Sequence, residues 1–370
     1  MHPQLRVAQV MAGAAEGGAE TAFEDMCIAC HEAGVPQIVV IRSNSPRRLK
    51  RLQDAGLSVH ILPFGGPLDI YTPFALRRIF AQFRPRIVQT WMSRAAQKTP
   101  ASSDHSYLKV SRLGGYYKLK YFASTDYFTT ITPDIRDYLI REGVPVDKVR
   151  HINNFADVDR LQHPVSRAAL DTPDDAFVVL TLARYHSSKA LDVLIRAATD
   201  LPRVHVWLAG SGPLERELKE LAHTLGLEKR IHFLGWRSDR ADLMQESDVC
   251  ALPSRYEPFG TTFVQAWAQG IPLVCARADG PRQFVRHGED GLLFDIDDVA
   301  GLRACLVRLM DEPDVAERLV AAGKARYEGE FMQAKTVQSY LDFYAAILER
   351  ENMLHERLAT TDVSKRTAQI

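Results

Sequence analysis

The chain has 370 residues, of which 46% are hydrophobic and 25% are charged, and its 46 Lys and Arg balance its 46 Asp and Glu. This composition excludes disordered and collagen-like proteins, and the length is sufficient for two domains with separate cores. The charge is unevenly distributed, because residues 1–150 carry 20 Lys and Arg against 13 Asp and Glu.

Short apolar runs alternate with helical patterns in the first 152 residues. This alternation predicts a parallel, doubly wound α/β sheet. Residues 92–126 interrupt it with a polar and then an aromatic, basic stretch, which we interpret as a binding region. The predicted strands are 5–10, 37–41, 59–62, 87–90, 128–132 and 149–152, and the predicted helices are 19–31, 49–55, 73–83 and 133–142.

Many of the basic residues of this half fall at 47–51, 77–78 and 109–120, the last among aromatic and aliphatic residues. Two interpretations stay open for them: contact with an anionic membrane surface, or solvated helix faces. Nucleic acid is not expected as a partner, since no recognised binding module accompanies the charge.

The five cysteines are scattered and mostly lie in apolar segments, which is typical of a reducing compartment. Cys27 and Cys30 have redox spacing but fall within a predicted helix, so core packing is favoured. No apolar run approaches the ~18 residues of a membrane span, and no signal peptide is recognised at the start. We therefore expect a cytoplasmic protein, at most peripheral on the inner face of a membrane.

A second alternation begins after a predicted linker between the two halves. It contains an unusual strand, loop, helix and strand between residues 248 and 276. Thr262 and Gln265 have the spacing of a capping box, which predicts a helix start at Thr262, and Gly270 suits its end. The predicted strands are 177–182, 204–208, 231–234, 249–252 and 271–276. One predicted helix follows Lys189, and the others cover 214–225, 262–269, 297–310, 315–322 and 332–348.

The loop before this helix carries the pattern Ser254-x-x-Glu257-x-Phe259-Gly260, followed by Gln265 and then Gly270-x-Pro272. This pattern resembles the donor-sugar signature of the family-4 glycosyltransferases, which have the GT-B fold. The resemblance covers most of the chain and is strongest from about residue 177 to 295. The family signature has two glutamates, and the second is Gln265 here.

The resemblance implies two doubly wound Rossmann-like α/β domains facing each other across a cleft. On this basis the N-terminal acceptor-side domain covers 1–155, a linker covers 156–176, and the nucleotide-sugar-binding domain covers 177–330. A C-terminal helix at 331–355 would pack back on the first domain, and residues 356–370 would form a polar tail.

The family resemblance also implies roles for individual residues. Glu257 would contact the transferred sugar near its reacting carbon, and Arg184 and Lys189 would hold the donor diphosphate, so these three are the predicted catalytic residues. Gln265 would bind the ribose, or would serve only as the capping partner of Thr262. The remaining predicted donor-binding residues are Gly17, Gly18, Gly210, Gly212, Leu234, Pro258, Phe259, Gly260 and Thr261, although each glycine-rich turn could also lack a further role.

Other positions are less defined by the resemblance. The loop at Asp279-Gly280-Pro281 would lie near the sugar and help to set donor preference. The family places a histidine on the first domain, and Arg94, His105 and Arg112 lie in the corresponding region. The acidic stretches at 157–159 and 295–298 suit linkers and helix caps better than metal ligands, and no His/Cys cluster accompanies them, so no metal or other cofactor is expected.

The function implied is a retaining glycosyltransferase that moves a sugar from a UDP-, GDP- or ADP-linked donor to a cell-envelope glycan or lipid-linked acceptor, lipopolysaccharide core being favoured. A non-catalytic sugar-nucleotide binder is the first alternative. An NADP-dependent oxidoreductase is the second, with Arg42 and Ser43 at a 2′-phosphate. It is less favoured because the first loop lacks the Gly-x-Gly-x-x-Gly fingerprint.

Overall fold

A computed structural model describes residues 5–102, 105–156 and 165–367, with side chains described as far as residue 353. The chain forms two compact units, one of Met1–Asn153 with Gln333–Ile370 and one of Asn154–Met332. No helix in these described ranges is both long enough and apolar enough to cross a membrane.

The first unit contains a seven-stranded parallel sheet with helices on its faces. Its strand order is β3-β2-β1-β4-β5-β6-β7. The strands are β1 Val7–Met11, β2 Gln37–Arg42, β3 Val59–Leu62, β4 Ile87–Trp91, β5 Leu108–Leu113, β6 Tyr127–Thr130 and β7 Val149–His151; the helices are α1 Gly18–Glu32, α2 Pro46–Asp54, α3 Tyr71–Phe83, α4 Met92–Lys98 and α5 Pro133–Arg141, with 3-10 helices at Leu119–Phe122 and Val146–Lys148.

The second unit contains a six-stranded parallel sheet of order β10-β9-β8-β11-β12-β13. The strand order reverses at β8, which pairs with β9 on one side and β11 on the other. The strands are β8 Phe177–Leu182, β9 Val204–Ala209, β10 Ile231–Gly235, β11 Val249–Leu252, β12 Leu273–Ala276 and β13 Leu292–Phe294; the helices are α6 Leu191–Ala197, α7 Glu215–Thr224, α8 Arg240–Gln245, α9 Thr261–Gln269, α10 Pro281–Phe284, α11 Val299–Asp311 and α12 Pro313–Arg326, with 3-10 helices at Ala168–Leu170 and Ser187–Lys189 and a π-helix at Tyr327–Phe331.

The last helix, α13 Gln333–Thr367, belongs to the first unit. Tyr344 on α13 donates its hydroxyl to Gln89 of β4, at an O···O distance of 3.0 Å. The helix runs well past residue 355 into the segment predicted as a polar tail, because no Gly or Pro follows residue 333 to end it. The side chains after 353 and residues 368–370 lie outside the described part.

The predicted linker is partly packed on the second unit. Arg167 donates to the carbonyl oxygens of Glu246 and Ala176 and pairs with Asp248 at 3.2 Å. Thr172 accepts a hydrogen bond from the Trp207 indole at 2.9 Å. Residues 157–164, which include the acidic stretch at 157–159, lie outside the described residues.

The prediction that residues 92–126 interrupt the alternation of strands and helices is wrong. This stretch contains helix α4 and strand β5, which pairs with β4 and β6 and is buried along its whole length. Lys109 is buried on β5, and its amine donates to Ala96 O, Thr99 O and Ser124 Oγ at 2.6–2.7 Å. Lys109 therefore lies neither on a membrane nor on a solvated helix face.

Other predicted surface cations are also buried. Arg112 on β5 lies over the Trp91 ring at 4.2 Å and donates to the Tyr340 hydroxyl, and burial lowers its pKa. Arg48 on α2 is fully buried and pairs with Glu24 at 3.1 Å. Both cations therefore lie in the interior of the first unit, where their partners offset part of the desolvation cost.

The cysteines of α1 pack in the core. Cys27 and Cys30 are free and buried, and burial raises the pKa of Cys30 to about 12. A thiol with such a pKa is a poor nucleophile, so the redox spacing has no redox consequence here.

Burial of Lys109 predicts a pH dependence of stability. Burial lowers the pKa of Lys109 from 10.5 to about 8. Between these values the unfolded chain binds a proton that the folded chain does not, so the free energy of unfolding rises with pH through this window. Between pH 8 and 10.5, the free energy of unfolding of the wild type should therefore rise by roughly 3 kcal/mol relative to that of the Lys109→Met variant, as measured by urea denaturation.

Lys118→Met is the matched control, because Lys118 is exposed. The difference in free energy of unfolding between Lys118→Met and the wild type should not change with pH. If the difference between Lys109→Met and the wild type is equally independent of pH, the prediction of a buried, desolvated amine is wrong.

Candidate active site

Two loops at the carboxyl ends of the neighbouring strands β8 and β11 are joined through their main chains. Residues 183–190 follow β8, and residues 253–260 follow β11. The backbone N–H groups of Arg255 and Tyr256 both donate to the carbonyl oxygen of Ser188, at 2.9 and 3.2 Å. Because the strand order reverses here, this is the place at which open α/β sheets bind ligands.

Lys189 and Glu257 meet at the junction of the two loops. Lys189 Nζ donates to Glu257 Oε2 at 2.5 Å, and the side chains are 24% and 16% exposed. Lys189 ends a 3-10 helix, and the next residue, Ala190, has a left-handed backbone with φ of 49° that redirects the chain into α6. The structure thus brings two of the three predicted catalytic residues into contact.

Arg184 lies at the start of the same loop and is exposed. The residue after it, Tyr185, is buried and donates its hydroxyl to Leu208 O at 2.7 Å. The hydrogen bond of Tyr185 fixes the main chain next to Arg184. The exposed Arg184 guanidinium and the Lys189 amine therefore belong to the same anchored loop.

Arg255 connects this loop to two further elements. Its guanidinium donates to both carboxylate oxygens of Asp192 at 3.0 and 2.8 Å, to Asp297 at 2.6 Å, and to the Ser187 carbonyl oxygen at 2.8 Å. No local sequence pattern indicates this role of Arg255, since its partners lie 42 to 68 residues away.

The glycine-rich turn after β9 packs directly on the Arg184 loop. A Cβ at position 210 would lie 2.0 Å from Ala183 O, and one at position 212 would lie 2.4 Å from Tyr185 O. Tyr185 N also donates to Ser211 O at 3.0 Å. Gly210 and Gly212 therefore allow a close backbone approach, and helix α7 begins only at Glu215, two residues after Pro213.

The start of α9 differs from the capping box that the sequence predicted. Gly260 is the N-cap, with a left-handed φ of 99°, and Thr261 is the first helical residue. Thr262 is therefore already inside the helix, so it does not cap it and Gln265 is not its capping partner. Gly270 ends the helix with a φ of 70°, as predicted.

The Glu257 loop is anchored from both sides. Phe259 is buried against the rings of Phe263 and Phe284, with centroids 5.2 Å away in both cases. Gly280 N donates to Glu257 O at 2.7 Å, and a Cβ at position 280 would lie 2.2 Å from Phe259 O. The loop at 279–281 therefore touches the backbone beside Glu257.

The other donor-binding candidates of this unit lie on adjacent elements. Pro258 is half-buried in the same loop, Thr261 is exposed, and Gln265 is buried on α9. Leu234 is half-buried on β10, at a break in the β9–β10 register. Their roles in binding stay predictions.

In the first unit, the glycine loop before α1 wraps around a buried carboxylate. A Cβ at Gly13 or Gly17 would lie 2.2 or 2.4 Å from a carboxylate oxygen of Glu20, which accepts a hydrogen bond from Ala14 N at 2.7 Å. Gly17 is the N-cap of α1, and Gly18 is its first residue. The position of Glu20 was not predicted from the sequence, because it depends on the local fold of this loop.

The acceptor-side candidates lie on three different segments of the same unit. Arg94 is exposed on α4, His105 is exposed in the loop before β5, and Arg112 is buried as described above.

Within the described residues, no group of three or more His, Cys, Asp or Glu is placed to hold a metal ion. In the acidic stretch at 295–298, Asp298 caps α11 by accepting from Gly301 N at 2.9 Å, and Asp297 pairs with Arg255.

Comparisons with known proteins identify the family of the chain. A family model described as Glycosyltransferase Family 4 matches residues 16–160, and one described as Glycosyl transferases group 1 matches residues 163–326. The lipopolysaccharide core biosynthesis glycosyltransferase LpsD of Rhizobium meliloti (strain 1021) is 32% identical over 89% of this chain and 95% of its own length. The chain belongs to the family-4 glycosyltransferases. LpsE of the same organism is 33% identical to this glycosyltransferase over 90% of the chain and 96% of its own length.

Solved structures place this family-4 glycosyltransferase in the GT-B fold. Anabaena Alr3699/HepE in complex with UDP has a TM-score of 0.79 at 19% identity, covering 92% of this chain and 100% of its own. A glycosyltransferase from Rickettsia africae ESF-5 has a TM-score of 0.80 at 18% identity, covering 94% and 99%. The predicted pair of doubly wound parallel-sheet domains is confirmed.

The close approach at Gly210 generates a prediction. In the Gly210→Ala variant the new Cβ would meet Ala183 O, so the turn or the Arg184 loop must move. We expect the free energy of unfolding to fall by about 2–4 kcal/mol, measured by urea denaturation followed by tryptophan fluorescence.

Gly329→Ala is the control, because nothing lies within 4 Å of a Cβ at that position. It should change the free energy of unfolding by less than about 1 kcal/mol. Equal losses in the two variants would contradict the packing of the glycine turn on the Arg184 loop.

Proposed function

We propose that this family-4 glycosyltransferase is a retaining enzyme that transfers a sugar from a nucleotide diphosphate sugar to a hydroxyl of a cell-envelope glycan or lipid-linked acceptor. The contact between Lys189 and Glu257 carries the proposal. In this proposal the Lys189 amine serves the leaving group and the Glu257 carboxylate serves the sugar, and both lie at the switch point of the second sheet.

The chemistry requires charge stabilisation at the leaving group. Breaking the sugar–phosphate bond transfers the bonding electrons to the diphosphate, whose negative charge grows in the transition state. Arg184 and Lys189 would stabilise this charge, and Lys189 has three N–H donors, of which Glu257 takes one. In this proposal the two cations neutralise the leaving group, and no metal cofactor is required.

Glu257 would act on the sugar side of the same bond. Its main chain is fixed by Gly280 and its carboxylate by Lys189, so it is preorganised near the place where positive charge develops on the reacting carbon. Retention of the anomeric configuration is the outcome implied by the family resemblance, and it is read directly by NMR of the product.

Relatives support the donor and acceptor classes. LpsD and LpsE are named for lipopolysaccharide core biosynthesis, which favours an acceptor of that type, and a membrane-linked acceptor would place the enzyme at the cytoplasmic face. Alr3699/HepE was crystallised with UDP and with UDP-glucose. These observations make UDP-sugars the first donors to test, followed by GDP- and ADP-sugars.

A non-catalytic sugar-nucleotide binder is the second candidate. The observation that favours it is Gln265, which stands where the family signature has its second glutamate and which offers a hydrogen bond without charge. The binder would show nucleotide affinity without transfer. The family assignment leaves the NADP-dependent oxidoreductase without support.

The deciding experiment first identifies the nucleotide by thermal shift with UDP, GDP, ADP and NADP. A ligand at 100 times its Kd adds about 2.7 kcal/mol of stability. Transfer is then measured with sugars of the responding nucleotide. We expect Lys189→Met and Glu257→Gln each to lower kcat/KM by about 10²- to 10³-fold, because each removes one preorganised charge from the transition state.

Lys324→Met is the matched control, since Lys324 lies exposed on α12, which carries none of the proposed site residues. It should transfer at the wild-type rate. Nucleotide binding by a wild type that transfers none of the matching sugars to any envelope glycan acceptor would favour the binder instead.

A further inference from the structure

His186 lies in the middle of the loop that carries Arg184 and Lys189. It is the N-cap of the 3-10 helix Ser187–Lys189, and its Nδ1 accepts a hydrogen bond from Ser188 N at 3.2 Å. The Ser188 hydroxyl lies 2.9 Å from the same nitrogen. Because Nδ1 accepts from a backbone N–H, it carries no proton, and the proton of the neutral imidazole is on Nε2.

Ser188 is also the residue at which the two loops of the candidate active site meet. Its carbonyl oxygen accepts from Arg255 N and Tyr256 N, at 2.9 and 3.2 Å. The backbone of Ser188 is therefore fixed at its N–H group by His186 and at its carbonyl group by the loop that follows β11. Loss of the His186 acceptor would release one of these two attachments.

Lys189 follows Ser188 directly, so its backbone moves with that of Ser188. Lys189 N donates to His186 O at 2.9 Å, and the Lys189 amine at the end of the side chain contacts Glu257. The 3-10 helix has three residues, and a turn this short has few other hydrogen bonds that could compensate for the loss of one. The cap at His186 therefore affects the position of the Lys189 amine beside Glu257.

The His186 ring takes no part in the core of the second unit. It is exposed, whereas the preceding residue, Tyr185, is buried and donates to Leu208 O. A substitution of His186 therefore opens no cavity in the core. What the imidazole supplies is an acceptor for the turn that carries Lys189.

We infer that His186 is a positioning residue for the proposed transfer. Its Nδ1 fixes Ser188, and Ser188 in turn keeps the Lys189 amine where it contacts Glu257 and where the leaving diphosphate would bind. His186 acts through the main chain and needs no contact with the substrate. The effect on catalysis rests on the proposed function, whereas the effect on the loop does not.

Two substitutions separate the acceptor from the ring. In His186→Asn the side-chain Oδ1 is attached to Cγ, as Nδ1 is in histidine, so it can accept from the same N–H, and Asn is among the preferred N-cap residues. In His186→Leu a carbon atom takes this place and accepts nothing. His223→Leu is the matched control, since His223 lies exposed in the last turn of α7, which carries none of the proposed site residues.

The first measurement is hydrogen exchange of the full chain without ligand, followed on peptides that cover residues 183–190. The Ser188 amide should exchange about 5- to 30-fold faster in His186→Leu, which is the range that loss of an N-cap acceptor implies. His186→Asn and His223→Leu should exchange as the wild type does.

The second measurement uses the nucleoside diphosphate that stabilises the wild type most, together with the matching nucleotide sugar. His186→Leu should lower kcat/KM and weaken binding of the nucleoside diphosphate, each by about 5- to 30-fold, because the displaced Lys189 amine serves the same phosphates in both. His186→Asn keeps the acceptor and should stay within about 2-fold of the wild type in both values.

Three outcomes would overturn the inference. In the first, His186→Leu exchanges, binds and transfers as the wild type does. In the second, His186→Asn is as impaired as His186→Leu, because the ring rather than its acceptor would then matter. In the third, transfer falls while hydrogen exchange is unchanged, because His186 would then act on the substrate directly. A wild type that binds the nucleotide without transferring sugar would contradict the proposed function instead, and hydrogen exchange and nucleotide affinity would still decide the role of His186.

Discussion

The carbonyl oxygen of Ser188 accepts two backbone hydrogen bonds from the loop that follows β11, and the candidate active site is built around this contact. It joins the Arg184–Lys189 loop to the Glu257 loop without the use of flexible side chains. The pairing of β8 with β11 brings the loops together, and Arg255 fastens them to Asp192 and Asp297. Main-chain contacts and the Arg255 ion pairs therefore support the position of Lys189 beside Glu257, which would suit the electrostatic stabilisation proposed above.

Glycines complete this arrangement from two directions. Gly210 and Gly212 bring the turn after β9 against Ala183 and Tyr185, and Gly280 brings the loop after β12 against Phe259. Each contact is too close for a side chain, so each glycine serves the packing of one loop on another. A glycine-rich turn beside the site thus has a structural role whether or not it also touches the nucleotide.

The sequence was most informative where local pattern decides structure. Continuous apolar runs predicted β8 and β11 with their observed bounds, and the spacing from Ser254 to Gly270 indicated the family. Strand β5 was not predicted because Lys109 and Arg112 give its sequence the charge of a surface segment. The partners of these two cations are Ala96 and Thr99 for Lys109 and Trp91 and Tyr340 for Arg112, and they come from other elements of the fold, so the sequence of β5 does not reveal them. The capping box failed for a related reason, since Gly260 can adopt the left-handed N-cap conformation that starts α9 one residue earlier.

The most direct measurement is a crystal structure of the protein with the nucleoside diphosphate that stabilises it most. We expect Arg184 and Lys189 to lie within about 3.2 Å of phosphate oxygens, with the two hydrogen bonds to Ser188 O retained. A diphosphate bound away from the Arg184–Lys189 loop, or a Glu257 carboxylate remote from the bound phosphates, would contradict it.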